Sequence, residues 1–121
     1  MSPFIFTADP ATLRDDNTLV LEVDPTLKSK GALFAWFASH LKFPDYFGSN
    51  WDAFDECLRD LSGVTQRKIV LFHRELPLSG QDKEQAIYVE ILAGAVEDWR
   101  RDTSREFVVA MDPMIEMKLG K

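Results

Sequence analysis

The run Lys68-Ile69-Val70-Leu71-Phe72 constrains the fold of this chain more than any other feature. It is continuously apolar and of strand length, the pattern of strands buried on both faces of a parallel sheet. Two other runs read as strands. Leu19-Val20-Leu21-Glu22-Val23 is closed by Asp24-Pro25, and Phe107-Val108-Val109-Ala110-Met111 is stopped by Asp112-Pro113. Between them the period changes to that of a helix. Leu33, Phe34, Phe37, Ala38 and Leu41 recur at three- and four-residue spacing within 27–41, and Phe43-Pro44 ends that helix. A second helix is expected over 50–61, with Trp51, Phe54, Cys57, Leu58 and Leu61 on one side and Ser62-Gly63 as its stop. A third spans about 81–101, with Ile87, Ile91, Ala95 and Trp99 at four-residue steps. The order strand, helix, helix, strand, helix, strand predicts an α/β fold: a small three-stranded parallel sheet covered by helices mostly on one side.

A length of 121 residues suits one domain. The expected division is an N-terminal extension over 1–17, a domain over 18–112 and a tail over 113–121. Ile5 or Phe6 could dock on the domain from the extension, and Met114, Ile115 and Met117 from the tail. Apolar residues make up 45%, enough for a packed core. Acids outnumber bases 20 to 14 and the net charge is -6, which opposes non-specific nucleic-acid binding and suits a basic partner. One cysteine, Cys57, excludes an internal disulfide and fits a reducing compartment, so a cytoplasmic location is expected. No apolar run is long enough to span a membrane.

Sequence motifs for catalysis are absent. There is no phosphate-cradling glycine loop and no G-x-S-x-G elbow. His40 and His73 are isolated, at the end of a helix and of a strand, and read as surface or boundary histidines. Cys57 falls beside Phe54 and Leu61 and reads as a small hydrophobe. The chain is therefore expected to be no enzyme and to use no cofactor or metal.

The sharpest local feature is acidic. Segment 41–62 holds Asp45, Asp52, Asp55, Glu56 and Asp60 against Lys42 and Arg59, half of the net charge in under a fifth of the length. Asp52, Asp55 and Glu56 share one helix face, where like charges repel by a few tenths of a kcal/mol per pair in an isolated helix. Such a face can be merely solvated, can hold a hard cation, or can dock onto a basic partner. Tyr46, Phe47, Gly48 and Asn50 place aromatics and an amide beside it, a combination found in interface hot spots. Phe47 is the better candidate of the two aromatics for a core position.

The segment Pro44-Asp45-Tyr46-Phe47-Gly48-Ser49-Asn50-Trp51-Asp52-Ala53-Phe54-Asp55-Glu56-Cys57-Leu58 resembles the signature of barstar-type ribonuclease inhibitors. In that family a P-[DE]-[YF]-[YF]-G-x-N-[LW]-D-A stretch leads into the second helix, and the likeness extends over roughly 19–111. It implies a binding protein that plugs the basic active site of a bacterial ribonuclease with carboxylates placed where substrate phosphates would lie. Tyr46, Gly48, Asn50, Trp51 and Asp52 match the contacting loop and helix start, and Glu56 matches the acid that enters the phosphate site. Phe47, Ala53, Asp55 and Arg59 complete the candidate surface on this segment, with Asp98 or Trp99 near the place of a further acid on the third helix. Three departures stand out. Glu56 is one methylene longer than the usual Asp, Asp55 replaces a Trp, and Arg59 would oppose a basic partner unless it pairs with Asp55 at i, i+4. The implied partner is a basic ribonuclease or related toxin. The alternative is a barstar-fold interaction or immunity module for a partner that is not a ribonuclease.

Overall fold

The computed structural model describes residues 2–44 and 49–119. In chain order the elements are β1 (Ile5–Phe6), a 3-10 turn (Pro10–Leu13), β2 (Thr18–Glu22), α1 (Lys30–His40), α2 (Trp51–Asp60), β3 (Lys68–His73), α3 (Asp82–Trp99), β4 (Glu106–Met111) and α4 (Pro113–Leu119). The strands form one parallel sheet in the order β1-β4-β3-β2. β3 lies between two neighbours, with Val70 opposite both Val20 and Val108. That interior place is why its sequence carries no polar alternation.

Alternate side chains of β3 and β4 enter two apolar clusters. Ile69, Leu71, Phe107, Val109 and Met111 join the main core with Leu33, Phe37, Phe54, Leu58, Tyr88 and Leu92 from the three long helices. Val70, Phe72, Val108 and Ala110 form a second cluster with Leu13 and Val20. The 3-10 turn supplies Leu13 to that second face, and the guanidinium of Arg74 lies 4.7 Å over the Phe72 ring. The turn is itself capped by Asp9, which accepts a hydrogen bond from the Ala11 amide.

The sheet has four strands, not the expected three. Ile5 and Phe6 pair with Ala110 and Met111, and the Thr7 amide donates to the Met111 carbonyl at 2.9 Å. Two residues flanked by Pro3 and Pro10 show no period of their own; β1 exists because β4 offers an open edge. Arg74 donates to the Ala8 carbonyl and Arg67 pairs with Asp15, which ties the rest of the N-terminal segment down.

The first helix begins later than its apolar spacing implies. Asp24 accepts from the amide and hydroxyl of Thr26 and holds 24–26 in a turn, and Ser29 caps α1 through the Ala32 amide. Leu27 packs against the core from outside the helix. In the tail, 113–119 form α4 with Ile115 buried.

His73 is no surface or boundary residue; it is fully buried. Its Nδ1 lies 3.2 Å from the Ala110 carbonyl and its Nε2 2.7 Å from the Tyr88 hydroxyl. Nδ1–H therefore donates to the carbonyl, and Tyr88 donates to Nε2. Burial pushes its pKa down to about 4, so the ring is neutral at physiological pH. Its place at the last position of β3, on the same face as Ile69 and Leu71, is what carries it into the helix-covered core.

Candidate functional site

The candidate face is built on α2, and both ends of that helix are fixed. At the start, Asn50 has extended backbone and its side-chain oxygen accepts from the Ala53 amide at 2.8 Å. A cap of this kind stabilises a helix by about 1 kcal/mol. Asp52 in the first turn meets the positive end of the helix dipole. At the other end Leu61 turns left-handed (φ 49°) and its amide closes on the Cys57 carbonyl. Arg105 then donates to the carbonyls of Leu61 (3.2 Å), Val64 (2.8 Å) and Gln66 (3.0 Å). Gly63 follows because its backbone presses on Lys42; a Cβ there would collide with the Lys42 carbonyl oxygen.

Phe54 and Leu58 are buried and hold α2 to the core. Phe54 packs within 5.0–6.3 Å (ring centroids) of Phe34, Phe37, Phe43, Trp51 and Tyr88. Trp51 is half-buried, edge-on to Phe34 at 5.0 Å, and its indole N–H donates to Glu84 of α3 at 2.8 Å. Ala53 is half-buried beside it. Trp51 thus acts first as a brace between α2 and its neighbouring helices.

Asp52 and Glu56 are exposed one turn apart, and among the described residues neither has an ion-pair partner. Asp55 is different. Arg59 Nε donates to it at 2.9 Å, and Arg59 Nη1 also lies 3.5 Å from Asp98 on α3. The side chains are 36–39% exposed, so water screens these pairs and each stabilises the fold by at most ~1 kcal/mol. Trp99 is buried and donates to the Leu58 carbonyl at 2.8 Å. Of the two neighbours on α3, Asp98 is therefore the one that reaches the α2 surface. Tyr46, Phe47 and Gly48 lie outside the described residues.

Cys57 is half-buried, and burial, then the charges of Asp60 and Glu56, push its thiol pKa up. It is a poor nucleophile there. His40 stacks on Trp36 at 4.1 Å and its Nδ1 lies 2.8 Å from the Trp36 carbonyl, at the end of α1. Among the described residues no group of three or more His, Cys, Asp or Glu could hold a metal ion, and no helix is long and apolar enough to cross a membrane.

Sequence reasoning missed Glu84, Gly94 and Arg105. Gly94 faces the Arg59 guanidinium; a Cβ there would meet Nη2 at 2.9 Å. A glycine inside an otherwise good helix is the one local signal of a close approach, since it weakens the helix by about 1 kcal/mol relative to Ala.

The profile of one protein family, described as Barstar (barnase inhibitor), matches residues 18–112. No curated protein matches the chain.

Proposed function

The chain belongs to the barstar family, an inhibitor family, and from that premise we propose that it binds a basic ribonuclease and occludes its active site with the exposed face of α2. One observation carries the reading. Asp52 and Glu56 stand exposed and unpaired, among the described residues, on a helix whose caps and buried aromatics hold it still. Two carboxylates so placed attract a basic cleft over distance and can take the positions of substrate phosphates once docked. The reading assigns contact to Asn50, Trp51, Asp52, Ala53 and Glu56, with Tyr46, Phe47 and Gly48 just before them in the sequence and Asp55, Arg59 and Asp98 at the margin. The proposed place of action is the cytoplasm, where the half-buried Cys57 stays a thiol.

Titration of Asp52→Ala and Glu56→Ala against a basic ribonuclease tests this. Each variant should inhibit at least tenfold less well than the parent, since truncating one partner of a buried interfacial charge pair costs about 2–5 kcal/mol. Equal inhibition by the parent and both variants would move the contact surface elsewhere. A partner other than a ribonuclease is the second reading, favoured by the cation that Arg59 places on the same helix. Affinity capture that returns a stable partner without nuclease activity, and no nuclease, would establish it.

A further inference from the structure

We propose that Arg59 is a specificity-determining residue of the α2 face, an inference that rests on the reading above. It selects a ribonuclease whose basic patch ends before the α2–α3 seam and which offers a carboxylate or carbonyl oxygen there. The geometry divides the acidic surface in two. Asp52 and Glu56 are exposed and have no ion-pair partner among the described residues, so they present charge outward. Asp55 and Asp98 are turned toward Arg59, at 2.9 and 3.5 Å, and the one guanidinium offsets half of their joint charge.

The guanidinium does not reach this position by default. It is seated in a notch on α3, where Gly94 has no side chain to obstruct Nη2. Asp98 lies one helical turn further along the same helix, on the same side as Gly94. A lysine ammonium could not serve both carboxylates with the same planar fork. The Arg59 side chain remains 36% exposed, and a guanidinium carries five N–H donors, more than these two contacts use. An approaching cation therefore meets a net charge of about -1 at the seam where two free carboxylates would have given -2, and an approaching acceptor meets a donor.

The test uses barnase, the target named in the family description, as the probe. Association rates are measured at low and moderate salt for the parent, Arg59→Gln, Arg59→Lys and Glu56→Gln, with thermal unfolding to show that each variant is folded. Arg59→Gln removes the cation and frees two carboxylates, so its association should be about fivefold faster than the parent's at low salt. The gain should shrink as salt rises. Arg59→Lys keeps the charge and should stay within about twofold of the parent. An Arg59→Gln rate no faster than the parent's, with Glu56→Gln slower than the parent, overturns the inference alone. So does an equal gain in Arg59→Lys. Failure of the function reading looks different: there, Glu56→Gln associates as fast as the parent, or no form binds, and the inference falls with it.

Discussion

Between pH 6.5 and pH 4 the fold should lose about 3 kcal/mol of stability through one side chain, His73. The folded ring has a pKa near 4 because burial disfavours its charged form, against an ordinary value of 6.5. A depressed folded value means that the neutral ring favours the fold. The contribution is complete above 6.5 and is lost progressively as pH falls toward the folded value. The separation of the two values corresponds to about 3 kcal/mol, against a total of 5–15 kcal/mol for a typical domain. Geometry explains the penalty as well as burial does. A proton on Nε2 would turn it into a donor facing the Tyr88 hydroxyl at 2.7 Å, and that hydroxyl would have to give up the acceptor of its own proton. Urea unfolding at pH 7.5, 6.5, 5.5 and 4.5 measures the loss as a shift in midpoint at constant slope. The double variant His73→Phe/Tyr88→Phe replaces both polar partners with rings of similar size. It should lie within about 2 kcal/mol of the parent at pH 7.5, because the His73–Tyr88 pair is removed together and only the Ala110 carbonyl loses the Nδ1–H donor. Its stability should be nearly flat between pH 6.5 and 4.5. Asp15, Asp24 and Asp102 are held below the ordinary carboxylate value of 3.8, chiefly by hydrogen bonds from Thr18, Thr26 and Ser104, so their contribution is lost only at still lower pH. A double variant that declines as steeply as the parent between pH 6.5 and 4.5 would refute the assignment to His73.

Other outcomes follow from the supports of α2. Arg105→Ala strips three carbonyls of a charged donor and should cost about 3 kcal/mol in urea unfolding at pH 7.5. The two crowded glycines should behave oppositely. Gly63→Ala drives a methyl group into the Lys42 backbone and should lower stability by about 2 kcal/mol, with a matching fall in melting temperature. Gly94→Ala meets only the mobile end of Arg59, so improved helix propensity should leave thermal stability unchanged or raise it by up to ~1 kcal/mol.

The central strands were plain in the sequence because β3 and β4 are buried on both faces and the residue types have to show it. α2 was equally plain: Asn50 stands at its start and Phe54 and Leu58 set the helical spacing. β1 was not, since two residues carry no period and its pairing depends on an edge formed a hundred residues later. His73 was misread for a related reason. A histidine at the end of a strand is buried or exposed according to what packs over that end, and here it is Tyr88 from α3. At the candidate face, the i, i+4 pairing of Arg59 with Asp55 could be anticipated from spacing. Its second contact, with Asp98, depends on the distance between two helices and was beyond local pattern.

The fixing of α2 at both ends has a consequence for how a complex would form. Asn50 sets the first turn, Trp51 is tied to Glu84, Leu58 is held through Trp99, and Arg105 secures the exit. The helix backbone that carries Asp52 and Glu56 has little freedom left to lose, so docking would freeze a few side-chain rotamers at about 0.5–1.5 kcal/mol each rather than order a segment of chain. Binding by this helix would then resemble two preformed solids meeting. Substitutions on its exposed ridge would alter how long the complex lives more than they alter the shape in which it forms.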